Sequence, residues 1–346
     1  MNSPRVAIVG GGPVGLASAI YAQRSGLSPL VLEAGVPDGD KACGEGLMPG
    51  VAPLLDELGI DPPGHELVGV SYRQGGTSVE HKFATRPGRG VRRTVLIEAL
   101  RDRADSLGIE RRQAKVTDVI MNPDSVSLGL ADGSRVEADY VVACDGLHST
   151  IAKELGLIKP QRPRGRRYGV RQHFQVAPWS SFIEVYYSGA NELYITPVDG
   201  NTVGVAVLGP KGINLAETIS SIPEVNRHLE NAASASDVRG AGPFPHRVRK
   251  ARVGRVLLVG DAAGYVDAIT GEGLRVGFAQ AREAISAIVD QRLASYPKRW
   301  RRVTREFRIL TRGLVLVASS PFRGSIVPLA RALPSVFGMI VDRLAK

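Results

Sequence analysis

Two hydrophobic periods alternate along the chain. At 5–9 and 29–32, short runs of Val, Ile, Leu and Ala have the length and β-branched content of buried strands. Between them, 16–25 has helical spacing and stops at Gly26. The chain therefore opens strand–helix–strand, the unit that builds a parallel sheet. Further helices are predicted at 51–58 and 93–107; in the second, Leu96, Leu100, Ala104 and Leu107 share one face. Short strands follow at 116–121, 125–130 and 140–143, with an Asp132-Gly133 turn among them. From about 165 to 245 only strands are predicted, at 171–176, 182–187, 193–196 and 202–208, which together form an antiparallel sheet. The buried-strand pattern returns at 255–259 and leads into a helix over 273–289.

Beyond residue 290 the pattern is different. Trp300, Val303, Phe307, Leu310, Leu314 and Val317 alternate at spacings of three and four, with arginines on the remaining faces. After Pro321 a second stripe runs through Ile326, Leu329, Leu333, Phe337, Ile340 and Leu344, interrupted by Pro328 and Pro334. The net charge of the 346 residues is +10, and all of it lies here: residues 291–346 carry twelve Lys/Arg against two acidic residues, so the first 290 are neutral. A basic excess confined to one end, with few aromatics, argues against nucleic acid as a partner. The basic helices either pack on the body with an arginine-rich solvent side, form an interfacial helix on an anionic membrane, or pair with a second copy.

Two cysteines, Cys43 and Cys144, have no metal-binding or disulfide spacing, so no metal is expected and a reducing cytoplasm fits. No apolar run reaches the roughly 18–20 residues of a spanning helix, and the first residues lack an apolar signal core. The expected location is cytoplasmic, with peripheral membrane contact through 291–346 left open.

The most informative local motif is Gly10-x-Gly12-x-x-Gly15, with Pro13 opening the helix. The first glycine permits the tight turn, the second lets backbone N–H groups approach a pyrophosphate, and the third lets helix and strand pack closely. Glu33, 18 residues after Gly15 at the end of the second strand, has the position of a ribose-binding carboxylate, which disfavours a 2′-phosphate. The ligand is therefore FAD or NAD.

Three further segments choose between them. Cys144-Asp145-Gly146 and Gly260-Asp261 each follow a buried strand, and Arg93-x-x-Leu96-x-x-x-Leu100 lies on a helix. With the glycine fingerprint, these resemble the FAD-dependent hydroxylase (p-hydroxybenzoate hydroxylase-like) superfamily over roughly the first 290 residues. The resemblance implies tightly bound FAD and NAD(P)H as a transient reductant. It also implies that Asp261 holds the ribityl and pyrophosphate region, that Arg93 reaches FAD, and that Asp145 and Gly146 support both cofactors. Within the superfamily, Lys41-Ala42-Cys43-Gly44-Glu45-Gly46-Leu47 and Thr270-Gly271-Glu272-Gly273 look like the geranylgeranyl reductase branch. Gly271, Glu272 and Gly273 would then turn a helix N-terminus toward the flavin, where its dipole favours the charge of reduced FAD; Thr270 would cap that helix.

The chain also departs from that branch. Its YxWxFP segment aligns with Glu192-Leu193-Tyr194-Ile195-Thr196-Pro197, keeping one aromatic and the proline, and Ala268 replaces a proline. The resemblance places Cys43 and Tyr194 as catalytic candidates; a lone cysteine is otherwise a small buried hydrophobe, the role expected of Cys144. Arg171 and His173 share one strand face, lining the substrate cavity or paired locally. The expected fold is α/β: a Rossmann-type FAD-binding lobe (1–164 and 246–290), an inserted antiparallel β-sheet substrate lobe (165–245) and a basic C-terminal helical tail (291–346). The expected activity is NAD(P)H-driven monooxygenation, as hydroxylation or epoxidation, of a lipophilic or polyketide-like small molecule. Reduction of isoprenoid C=C bonds is the second reading, and a non-catalytic, membrane-peripheral flavin-binding protein the third.

Overall fold

The computed structural model describes residues 3–35, 40–160 and 166–346. Its first sheet orders six strands as Arg252–Val253, Val256–Leu258, Tyr140–Ala143, Arg5–Val9, Ser28–Glu33 and Glu110–Gln113. All neighbours are parallel except the first pair. Successive side chains of a strand point to opposite faces. Val6 and Ile8 therefore enter a core with the helices Pro13–Arg24, Arg93–Ser106 and Gly273–Val289. Ala7 and Val9 enter a second core, under the antiparallel strands Val116–Met121, Val126–Leu130 and Arg135–Ala138. Burial on both faces explains why these strands read as continuous apolar runs. The strand Glu110–Gln113, Glu-Arg-Arg-Gln in sequence, escaped that reading: it is an exposed edge held by its backbone ladder to Ser28–Glu33 and by ion pairs from Arg111 to Asp105 and from Arg112 to Asp132.

The second sheet contains the four strands expected between 165 and 245, as Arg167–Gln175, Phe182–Ser188, Asn191–Pro197 and Thr202–Gly209. It is not enclosed by those boundaries. Gly69–Gln74 pairs in parallel with Phe182–Ser188, and Thr77–Lys82 extends the same edge, so two strands come from the segment assigned to the cofactor lobe. Both are short and partly exposed, and no apolar run announced them. One face of this sheet packs Leu193, Ile195, Val203 and Val205 against the helices Leu215–Ser220 and Pro223–Leu229. The opposite face carries Arg167, Arg171, His173, Glu192 and Tyr194, in phase with one another across the strand pairs, and is turned to the cofactor lobe.

The C-terminal segment is part of this body. Helix Tyr296–Ala318 lies along Gly273–Val289, with Tyr296, Thr304, Phe307 and Thr311 buried. The chain then bends by 94° into helix Ile326–Ala332 and finishes with Pro334–Ala345. Phe337 and Val341 pack under the second sheet, Phe337 edge-on to Tyr72 at 5.0 Å. Arg299 and Arg302 pair with Asp290 and Glu283, and Arg343 with Glu306. Among the described residues no single helix is long and apolar enough to cross a membrane.

Tyr296 joins this segment to the first sheet. Its ring is fully buried and its hydroxyl donates to the Leu258 carbonyl at 2.6 Å. Tyr296→Phe should lower the unfolding free energy by about 1–2 kcal/mol, the cost of one buried acceptor left unsatisfied. Denaturant titration against the wild type measures it.

Candidate active site

The glycine turn has the geometry its spacing predicts. Gly10 has φ +104°, and a Cβ there would stand 2.5 Å from the Cys144 carbonyl oxygen. A Cβ on Gly15 would stand 1.8 Å from the Gly10 oxygen, so no side chain fits where helix and strand meet. Gly12 precedes Pro13 at the helix N-terminus without a side-chain cap, leaving the amides that follow it unsatisfied within the helix. Space opens above Gly12, and the nearest atom to a Cβ there is an Arg93 guanidinium nitrogen at 3.7 Å. At the end of the second strand, Glu33 accepts from the Gly11 and Gly35 N–H groups, which holds its carboxylate at the mouth of the cradle. This backbone nest with a carboxylate at one end and a guanidinium at the other fits a dinucleotide and its ribose.

Two aspartates come to the same rim. Burial pushes the Asp261 carboxyl up to about 6, against the pull of Arg93 and Lys41. Gly260, at φ +65° against Val14, makes the turn that presents it. Burial also raises Asp145, whose oxygens accept from Ser149 Oγ at 2.6 Å and Ile151 N at 3.1 Å. Asp145 thus also fixes the start of helix Thr150–Glu154, and Gly146 at φ +81° turns the chain into it. Cys144 packs against Ser18, its thiol pushed up to about 12 by burial.

The 270–273 segment differs in part from expectation. Thr270 does not cap the helix; Glu272 occupies that position without a side-chain cap, and Thr270 Oγ1 lies 3.4 Å from Thr311 Oγ1 on the C-terminal helix. Glu272 is buried, accepts from Arg275 at 3.0 Å, and is pushed up to about 7 by burial. What Gly271, Glu272 and Gly273 offer a ligand is backbone. Gly271 has φ +67° with open space beside it, and Gly273 faces the Tyr265 ring.

Cys43 sits between these groups. Burial raises its thiol most, the charges of Arg93 and Glu45 act on it next, and the thiol in turn acts on Tyr265. Tyr265 is itself raised by burial and by Asp261, Asp267 and Cys43, and stacks edge-on to Phe244 at 5.2 Å. Tyr265 thus lies among Asp261, the 40–47 loop and the 267–273 segment. No motif marked it in the sequence beyond its position four residues after Asp261.

Two buried ion networks fasten these loops to the second sheet. In the first, Arg171 and His173, each 1 % exposed, meet the 40–47 loop. Arg171 pairs with Asp40 and donates to the Lys41 carbonyl at 3.0 Å. It also donates to His173 Nδ1 at 3.1 Å, so that nitrogen accepts and Nε2 carries the hydrogen, which it gives to Glu45 Oε2 at 2.5 Å. Glu45, at φ +58°, returns its other oxygen to the Arg93 backbone N–H at 2.9 Å. Of the two readings of Arg171 and His173, local pairing is the one observed. In the second network, Arg167 forks onto Glu192 at 2.8 and 2.9 Å and lies 3.1 Å from Asp267. Tyr194 donates to Glu192 at 3.1 Å, and Tyr72 and Tyr187 hydrogen-bond to each other beside it. Burial drives the Tyr187 and Tyr194 hydroxyls up, yet both rings keep accessible surface, as does Tyr265. Tyr194 packs with Tyr72 and Tyr187 on one side and with Tyr265 on the other. The C-terminal segment forms a wall over Tyr194 and Tyr265: Leu314, Val315, Ala318 and Ile326 pack with them and with Ala268. The charged members could have been found from the alternation Glu192-x-Tyr194-x-Thr196; the wall could not.

Comparison with known proteins agrees with this geometry. A family model described as an FAD binding domain matches residues 4–291. The chain is 30% identical over 328 residues to the chloroplastic geranylgeranyl diphosphate reductase of Oryza sativa subsp. japonica, covering 82% of this chain and 66% of that one. It is 27% identical over 294 residues to the rifampicin monooxygenase of Streptomyces venezuelae, covering 80% and 62%. In fold it is similar to a flavoprotein/dehydrogenase from Cytophaga hutchinsonii, with a TM-score of 0.87 at 16% identity over 99% of this chain and 92% of that one.

Asp261→Ala and Gly12→Val should each purify without the yellow flavin absorbance, while Tyr194→Phe keeps it. Full flavin occupancy in either of the first two would overturn the assignment of the cradle. Asp261 also predicts a pH effect. Without cofactor, the folded chain still holds its proton between the ordinary 3.8 and about 6, where the unfolded chain has released it. Its contribution to stability is therefore present at low pH and lost as pH rises through about 6. Cofactor-free Asp261→Asn should melt with the cofactor-free wild type near pH 4 and above it near pH 8.

Proposed function

The chain belongs to the FAD-binding domain family, and from that premise we propose that it is a monooxygenase acting on a lipophilic small molecule with an oxygen-bearing head group. It is an FAD-dependent oxidoreductase. When bound and reduced by NAD(P)H, FAD would activate O₂ in this reading, one oxygen atom entering the substrate and the other leaving as water. In it, the amides after Gly12 and the turn at Gly10 and Gly15 hold the pyrophosphate, Glu33 the ribose, and Arg93 and Asp261 the span between pyrophosphate and ribityl chain. Asp145 and Gly146 shape the rim where NAD(P)H would approach. The backbone of Gly271, Glu272 and Gly273 offers N–H groups where negative charge develops.

One observation supports oxygenation over reduction: the chemistry of the sheet face opposite the cradle. The stretch that resembles the aromatic segment of the reductase branch here presents Glu192 and Tyr194 within a buried ion cluster, with the hydroxyls of Tyr72 and Tyr187 adjoining. These groups are paired with one another, and a bare polyene has no polar atom with which to use their remaining hydrogen-bonding capacity. A phenol or ketone can exchange hydrogen bonds with them, while its apolar remainder lies on Leu314, Val315 and Ile326. Reduction of an isoprenoid-type double bond keeps one specific support. Burial favours the protonated thiol of Cys43, which is then a proton donor beside the cradle. A lipophilic substrate also accords with peripheral attachment to a membrane through residues 291–346.

Oxygen uptake separates the two reactions. With NAD(P)H and lipophilic phenols as probes, O₂ consumption should rise with substrate and match product formation; double-bond reduction that proceeds anaerobically would overturn the proposal. Cys43→Ala should keep the flavin spectrum and alter turnover, by more for reduction than for oxygenation.

A further inference from the structure

The C-terminal helices have an inner face that is accounted for and an outer face that is not. Nine of the exposed large apolar residues lie between 309 and 340, among them Phe322 at 74 %, Leu316 at 72 % and Met339 at 64 % exposure. On helix Tyr296–Ala318 the outward positions Arg305, Ile309, Arg312 and Leu316 follow helical spacing, opposite the buried Thr304, Phe307 and Thr311. On helix Pro334–Ala345 the outward Val336, Met339 and Ile340 stand opposite the buried Phe337 and Val341. Arg305, Arg312, Arg323 and Arg331 make no ion pair among the described residues, although Arg299, Arg302 and Arg343 on the same segment do. The body is neutral and the excess charge of +10 is concentrated on this segment.

We propose that this outer face docks on an anionic bilayer leaflet, with the 319–325 bend and its Phe322 entering the headgroup–acyl boundary. Unpaired arginines beside large apolar side chains are the composition of an interfacial surface, where the apolar side buries among acyl chains and the cations meet lipid phosphates. A second copy of the chain would bring the same arginines face to face, so charge favours the lipid. The 94° bend keeps the two helices from forming one continuous spanning segment, consistent with lying in the interface. The inner side of the same segment, through Leu314, Val315, Ala318 and Ile326, packs against Tyr194 and Tyr265 of the candidate site. One helix diameter, about 10 Å, then separates the bilayer from these rings. Substrate would pass between them at the bend; that last step rests on the lipophilic substrate proposed above, whereas the docking does not.

The test uses the full-length flavoprotein and sedimentation with phosphatidylcholine vesicles, with and without phosphatidylglycerol. The wild type should sediment with the anionic vesicles, less with the neutral ones, and less as salt rises. Phe322→Glu combined with Leu316→Glu should weaken binding roughly tenfold or more, as the loss of large apolar anchors requires. Arg312→Glu combined with Arg323→Glu should remove the preference for phosphatidylglycerol. Leu316, Phe322 and Arg312 are exposed and Arg323 is half-buried, and an unchanged flavin spectrum and melting temperature certify the fold; the milder Leu316→Ser serves if either control fails. Equal sedimentation of the wild type and the apolar variant would overturn the proposal. So would a dimer in solution that Phe322→Glu dissociates, since the face would then belong to a second copy. A protein that docks but consumes no oxygen with any lipophilic phenol loses the proposed reaction and keeps the surface. One that oxygenates a soluble phenol and ignores vesicles loses the surface alone.

Discussion

Two buried ion clusters connect the sheet of the second lobe to the loops that shape the cofactor cradle. Arg171 and His173 hold the 40–47 loop through Asp40, the Lys41 carbonyl and Glu45; Arg167 and Glu192 hold the 267–273 segment through Asp267. Taking such charges out of water costs several kcal/mol per ion, and the cost is offset only when geometry and further hydrogen bonds complete the pairing. Removing one partner leaves the others uncompensated. The clusters are therefore stringent about geometry: the loops carrying Cys43 and Tyr265 can take few other positions without stranding a buried charge. Glu45 shows the constraint directly, since it adopts φ +58° while its two oxygens reach a histidine on one lobe and a helix N-terminus on the other.

The same face meets the C-terminal helices with a mixed character. Tyrosine hydroxyls and paired charges lie on the sheet side, aliphatic side chains of the C-terminal helices on the other, and the glycine cradle along the edge. The C-terminal segment packs on this face rather than extending from the protein as an appendage. Its charge thus belongs to the folded body and not to a separate tail.

The cradle was readable from sequence because its requirements are local. Gly10, Gly12, Gly15 and Glu33 are set by one strand–turn–helix–strand unit, and buried parallel strands such as Arg5–Val9 read as unbroken apolar runs. Where the tertiary environment replaced local signal, the reading was incomplete. Glu110–Gln113 is a strand only because a neighbour offers an edge, and Gly69–Gln74 because Phe182–Ser188 does. Thr270 was a reasonable cap by type, but Thr311, forty-one residues away, lies beside its hydroxyl.

The amino-acid sequence by itself determined the cofactor and the fold around it, since nearest-neighbour backbone geometry, strand burial and glycine sterics act over a few residues. It also determined that a basic, apolar segment would end the chain. Only the tertiary structure decided that Glu45, Arg171 and His173 form one cluster, that Arg167, Glu192 and Asp267 form another, and that Cys43 and Asp261 come within electrostatic reach of Tyr265. It decided as well that the terminal segment turns one face to the site and leaves the other uncovered. The physical reason is reach: a buried charge needs a partner wherever the fold can bring one, and these partners are 25 to 131 residues apart along the chain.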